Sequence, residues 1–214
     1  MARVVFWSAT TYYLFMFSNL PGLIESAGYI GLFFIIFAES GLFFGFFLPG
    51  DSLLFTAGFL ASQGYLNVWV LTVLLVIAAI SGDSFGYYFG KKIGPRLFSK
   101  PKSLLFNPEH AIRAGRFFEK YGKKSIFLAR FVPVVRTFVP IVAGVGQMEY
   151  TSFIRYNVFG GLFWVILMTL GGYFLGQAIP EADKYLHYII LAIIVISVVP
   201  VVFEIWKNKK HVIR

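Results

Sequence analysis

Residues 38–64 read AESGLFFGFFLPGDSLLFTAGFLASQG. Two acids, Glu39 and Asp51, stand in a run otherwise built from Phe, Leu, Gly and Ala. An ionised carboxylate in such surroundings is costly unless it is paired and hydrogen-bonded. A chain that keeps two of them there must hold their partners elsewhere, and where those partners lie decides the fold.

The surroundings of this stretch identify the solvent. The chain is 58% hydrophobic, 20% aromatic and 14% charged, with a mean hydropathy of +0.75, whereas a soluble domain carries about 25% charged residues. The charge is clustered and leaves apolar blocks at 28–89, 125–179 and 186–206. A helix crosses a bilayer with about 20 apolar residues, so the expected class is an all-α polytopic membrane protein forming one integral domain over 1–214. The first 20 residues carry a single Arg3, bulky aromatics and no small-x-small cleavage site, and are read as retained. Without cysteine, disulfides and thiolate metal sites are excluded. His110, His187 and His211 lie at edges or tails without ligand spacing, so neither a metal site nor a cofactor is implied.

The net charge is +9, and ten of the 19 Lys and Arg fall within Lys91–Lys124, with four more in the tail WKNKKHVIR. Nucleic acid is one reading of such a balance. In a membrane protein the positive-inside bias accounts for it better, so both clusters go to the cytoplasm and no nucleic-acid partner is expected. The segment NPEHAIRAGRFFEKYG spaces Ala111, Ala114, Phe117 and Phe118 helically between basic residues and is expected to lie along the membrane surface.

The block 28–89 suits neither two spans nor three. Residues 29–48 can make one pass and 67–89 another, but 52–65 are too few to cross and have the length of a re-entrant segment. Pro49 and Gly50 break the helix just before Asp51. Broken backbone at membrane depth survives only within protein or beside a watery cavity. The second block behaves alike: SIFLARFVPVVRTFVPIVAGVGQ carries Arg130 and Arg136 in an apolar run interrupted by Pro133 and Pro140. The two blocks are also in register. Gly58, Gly86 and Gly90 match Gly144, Gly172 and Gly176 at a constant offset of 86, and Ala57 and Tyr87 match Ala143 and Tyr173. Weak internal symmetry of this kind marks transporter repeats. The expected organisation is a first repeat over 28–90, a basic cytoplasmic or interfacial segment over 91–124, a second repeat over 125–178, and a final span over 186–206. Each repeat holds one re-entrant hairpin and one span. With 91–124 inside, the first hairpin opens outward, the second opens to the cytoplasm, and the C-terminus is cytoplasmic.

Two hairpins entering from opposite faces bring Glu39 and Asp51 toward Arg130 and Arg136, so that two carboxylates and two guanidinium groups neutralise one another. A plain ion-pair glue is the bland alternative. Intramembrane ionisable groups are functional by default, and buried pairs stabilise poorly compared with apolar packing. Asp51 falls opposite Thr137 under the offset of 86, and Ser52 and Thr137 are placed with Asp83 in the candidate cavity. Asp83 lies in ISGDSFGYYFGKKIG, where Gly82, Gly86, Gly90 and Gly94 form a small-residue stripe; lining the cavity and capping a polar contact are equally open to it.

An aspartyl-protease reading of the Gly50-Asp51 and Gly82-Asp83 pairs fails on two counts. Leu48 and Ile80 occupy the positions where a GxGD motif needs glycine, and peptide hydrolysis has no use for two buried arginines. No Gly-x-Ser-x-Gly elbow is present, so an enzyme is not expected.

The combination of F-x-P-G-D-S with an acid 12 residues upstream, then GDSFGYYFGKKIG, then ARFVPVVRTFVPIVAG, resembles the DedA family of bacterial membrane proteins over about Gly28 to Gly176. The resemblance implies two re-entrant hairpins, an inner-membrane location, and roles in envelope homeostasis and proton-motive-force-dependent resistance. It also implies functional acids at Glu39 and Asp51 and functional arginines at Arg130 and Arg136. Family members are linked to flipping of lipid carriers, notably undecaprenyl phosphate, and eukaryotic relatives to phospholipid scrambling. The expected activity is therefore proton-linked translocation of a lipid phosphate, with Arg130 and Arg136 binding substrate and Glu39 and Asp51 taking protons. Arginine suits the task because its planar fork binds phosphate oxygens in pairs and stays charged. The expected partners are the bilayer and the lipid phosphate, and a homo-oligomer is compatible with the sequence. The alternatives are a proton-coupled exporter of cationic small molecules, a phospholipid scramblase and a scaffolding protein.

Overall fold

The computed structural model describes residues 20–42, 48–97, 122, 124–179 and 188. The surface segment expected around 107–122, the final span over 186–206, the basic tail and the three histidines' surroundings lie outside the described residues. Among those described, the chain is helical throughout: α1 Leu20–Gly41, α2 Gly50–Ser62, α3 Val68–Leu97, α4 Lys124–Ala129, α5 Pro133–Val145 and α6 Tyr150–Ala178.

Helix lengths sort these elements. Within α3 and α6, Val68–Gly94 and Tyr150–Ala178 span 27 and 29 residues and are apolar enough to cross a membrane; the first is close to the expected 67–89 and the second falls at the end of the expected repeat over 125–178. The other helices are short. Gly28 breaks α1 with φ 56° and ψ −158°, a combination open to glycine alone, leaving an apolar helix over Gly28–Gly41. Of the expected pass over 29–48, the described helix covers 29–41, and the bare backbone of Gly41 lies on the Gly82 carbonyl. Pro49 disfavours helix at Leu48, and the chain resumes as α2 at Gly50. At 13 residues each, α2 and α5 rise about 20 Å, well short of a hydrocarbon core about 30 Å thick.

The two prolines expected as breaks in the second block separate. Pro133 sits at the first position of α5, after Val132 in extended conformation (φ −114°, ψ 104°), where its missing N–H costs nothing. Pro140 is not a break: it lies inside α5. It supplies no N–H to the Arg136 carbonyl, so the helix continues with one bond fewer.

The chain divides into two compact units. The first takes in the described residues up to Gly28, Asp51–Val68 and those from Met168 onward; the second takes in Tyr29–Gly50 and Trp69–Leu167. In the first unit α2 interlocks with the end of α6. A Cβ on Gly58 would strike the Thr169 carbonyl, one on Gly172 the Phe55 carbonyl, and one on Gly176 the Ser62 side chain. In the second unit α5 interlocks with α3: a Cβ on Gly144 would strike the Tyr87 carbonyl, and one on Gly90 the Ile141 carbonyl. Of the glycines matched at the offset of 86, Gly58 and Gly144 each lie on a backbone carbonyl of the facing long helix, whereas Gly86 and Gly172 face different elements, and Gly90 and Gly176 meet different kinds of atom. Phe55 and Ile141 are separated by that offset, but Gly172 and Gly90, whose backbones lie on them, are one helical turn out of it. Each short helix packs on the long helix of the other block.

Around the second interlock, Tyr87, Ile126, Ala129, Val139, Ala143 and Phe153 form a buried cluster. Tyr87 stacks on Phe153, with ring centroids 4.8 Å apart, and donates its hydroxyl hydrogen to the Met148 carbonyl, so a buried aromatic keeps its polar tip satisfied. Trp69, Val73, Ile77, Phe85 and Phe89 on α3, and Phe159, Phe163, Leu167 and Phe174 on α6, are exposed. Large apolar side chains outside and charges inside are the arrangement of a protein whose solvent is lipid.

Candidate functional site

Among the described residues of the second unit, three charged side chains, Glu39, Asp83 and Arg130, are buried, and a fourth, Arg136, is largely enclosed. Glu39 comes from the last turn of α1, on the face that also buries Leu32 and Ile36. Asp83 lies midway along α3. Arg130 sits in the turn between α4 and α5, and Arg136 in the first turn of α5. Glu39 is 1% exposed, and Asp83 and Arg130 are each 5% exposed.

These groups form two ion pairs. An Nη2 hydrogen of Arg136 is donated to Glu39 Oε1 at 2.5 Å, and the guanidinium carbon lies 4.5 Å from the centroid of the Trp164 ring. A desolvated guanidinium over an indole face gains from the ring quadrupole. The Glu39 carboxylate rests against Gly50, the first residue of α2, where any Cβ would overlap it. Arg130 pairs with Asp83, and its Nη2 also donates to the amide oxygen of Asn157, which is fully buried on α6. Gly160 and Gly161 make room for this side chain: a Cβ at Gly160 would stand 2.9 Å from Arg130 Cδ. Two guanidinium groups and two carboxylates sum to zero charge, as low-dielectric surroundings require.

The structure thus brings together Glu39, Arg130 and Arg136 from the expected set and adds Asp83 as the carboxylate partner of Arg130. Asp51 lies in the first unit, half-buried in the first turn of α2. Ser52, next to it, is buried there, and Thr137 is buried on α5. Pro49 directly precedes α2, and Gly50 opens it. Sequence reasoning missed Asn157 and Trp164. Asn157 carried a signal, being an amide inside the apolar run of α6 that ordinary packing does not need. Trp164 carried none, since its ring reads as core until the guanidinium stacked on it is seen.

A phosphate reaching either arginine offers oxygens to the same N–H groups that the carboxylate holds.

Comparison with known proteins agrees with this chemistry's membrane setting. Residues 48–174 match the VTT domain. Protein DedA of Escherichia coli is 50% identical over 188 residues, covering 87% of this chain and 85% of the relative. An uncharacterized membrane protein of Mycobacterium leprae is 42% identical over 172 residues, 80% of this chain and 77% of its own. Inner membrane protein YqjA of Escherichia coli is 34% identical over 189 residues, 85% of each chain. No solved structure matches the chain.

Proposed function

The chain belongs to the VTT-domain family of membrane proteins that includes DedA, and from that premise we propose that it translocates a lipid phosphate across the bacterial inner membrane, coupled to the proton motive force. Undecaprenyl phosphate is the favoured substrate. The observation that carries this reading is the pair of buried arginines, each neutralised by its own carboxylate, within a membrane protein. A cation exporter needs the acids but not the arginines.

Arg136 and Arg130 receive the phosphate. As phosphate takes over the Arg136 donors, Glu39 loses its counter-charge beside a new anion, and surroundings of that kind favour the protonated carboxylic acid. Proton uptake is thereby linked to substrate binding, and Asp51, at the start of α2, is the second proton-linked acid. One charge moved through the full membrane field gains about 2.3 kcal/mol per 100 mV, enough for roughly fiftyfold accumulation. No bond in the substrate is broken, so the protein is a transporter and not an enzyme. The short helices α2 and α5, each packed through glycines on a long helix, support two re-entrant hairpins in an inverted repeat; the basic tail puts the C-terminus in the cytoplasm under the same reading.

The test is reconstitution of the full chain into liposomes carrying undecaprenyl phosphate, phosphatidic acid or phosphatidylcholine, with leaflet exchange followed with and without a pH gradient. Exchange of lipid phosphate that accelerates under the gradient, with phosphatidylcholine left behind, is the expected result. Equal exchange of all three lipids makes the protein a scramblase; no exchange of any overturns lipid translocation.

A further inference from the structure

Arg130 is the more enclosed arginine, and its donors are unevenly used. Nη2 donates one hydrogen to the Asp83 carboxylate and one to the Asn157 amide oxygen, which exhausts that nitrogen. The Asn157 amide is held in turn, because its Nδ2 donates to the Ile80 carbonyl at 3.3 Å, leaving its oxygen to face the guanidinium. Nε is buried and has no hydrogen-bond partner among the described residues. Buried donors, and charged ones above all, are almost always paired. Gly160 lies close along this edge with no side chain of its own, and a Cβ there would stand 3.3 Å from Nε.

Resting on the lipid-phosphate reading, we propose that Asp83 and Asn157 are positioning residues that hold Arg130 by Nη2 alone, so that Nε–H and Nη1 are presented to the phosphate oxygens. Asp83 is the carboxylate with which phosphate competes at this arginine, as Glu39 is at Arg136. Each arginine then has its own displaceable acid, and Asn157 keeps the guanidinium in place, without adding charge, when Asp83 is displaced. A neutral anchor beside a charged one is what an exchange site needs: with two carboxylates on Nη2 the phosphate is repelled, and with two amides it is not released.

Binding of farnesyl phosphate to the full chain in detergent, at one fixed pH and with farnesol as control, tests this. Asp83→Asn removes the competing charge and should tighten binding about tenfold, equivalent to about 1.4 kcal/mol, while slowing leaflet exchange. Asn157→Asp adds a competing charge in the same shape and should weaken binding by a similar factor. Both shifts should vanish in an Arg130→Gln background, because residues in contact couple and independent ones add. A merely structural role does not give opposite shifts from two near-isosteric exchanges, nor make them depend on Arg130. Should Asp83→Asn fail to fold, Asn157→Asp carries the test alone. Wild-type binding with variants that do not shift, or shift the same way, overturns the positioning role alone. Failure of the wild type to bind farnesyl phosphate above the farnesol control overturns it together with the lipid-phosphate reading.

Discussion

The Glu39–Arg136 pair makes the most direct thermodynamic prediction. The two side chains are 2% and 10% exposed and 2.5 Å apart. Arg136→Gln leaves Glu39 without that guanidinium in a site closed to water, which should cost about 3 kcal/mol, the lower end for breaking a buried pair. Part of the loss is the stacking on Trp164, about 2 kcal/mol for a desolvated cation and overlapping the pair energy. Glu39→Gln is milder, about 1–2 kcal/mol, because the amide oxygen still accepts from Arg136 and the cation keeps the indole. In the double variant two amides replace two charges, and stability should return to within about 1 kcal/mol of the wild type, since buried pairs are close to break-even against neutral replacements. Equilibrium unfolding in mixed micelles at pH 7, run on all four proteins, yields a coupling energy of about 2 kcal/mol or more. Losses that add to within about 0.5 kcal/mol would show that the two residues do not share an ion pair, and the exchange mechanism at Arg136 would fall with it.

Two further predictions test the architecture. In this cysteine-free chain, single cysteines at Ser62 or Gln63 should label from outside and those at Ser99, Gln147 and Asn208 from inside; external labelling at Gln147 would refute the inverted repeat. Gly144→Ala and Gly172→Ala each drive a Cβ into facing backbone and should each cost about 1–3 kcal/mol. The neighbouring Gly171→Ala meets only an ordinary contact at 3.6 Å from Phe55 and should stabilise its helix by about 0.5–1 kcal/mol. Thermal unfolding that ranks Gly171→Ala with Gly172→Ala would dissolve the close packing inferred for α2 and α6.

Legibility in the sequence followed the range of each interaction. Helix breaks at Pro49-Gly50 and Pro133 are local chemistry, and the glycine register needs only counting, so both were readable. Pro133 and Pro140 look alike as letters. Only the helix start fixes one at the first position, where a lost donor is harmless, and the other well inside. The partner of Arg130 was not readable for a different reason. Helical period says that Asp83 shares a face with its neighbours, but which acid meets which arginine depends on how far α3 slides past the α4–α5 turn. Contacts such as Gly90 on Ile141 and Gly144 on Tyr87 set that slide, and they become visible only in three dimensions. Asn157 and Trp164 were hidden for the same reason: each is defined by what it faces.

The proposed repeat also accounts for why the chemistry is one-sided. Under the offset of 86, Arg136 corresponds to Gly50 and Asp83 to Thr169. Gly50 and Arg136, equivalent positions at the starts of α2 and α5, touch the same carboxylate, that of Glu39. Where two equivalent positions converge on one group, only one of them can carry a large side chain, and the other must be nearly bare. Arg136 takes the space, and Gly50 gives it up. A second arginine at residue 50 would overlap the Glu39 carboxylate. Both ion pairs found among the described residues accordingly lie in the second unit, while Asp51 stands in the first. Under the proposed translocation, these two ion pairs are what the protein presents to the two faces of the membrane in turn.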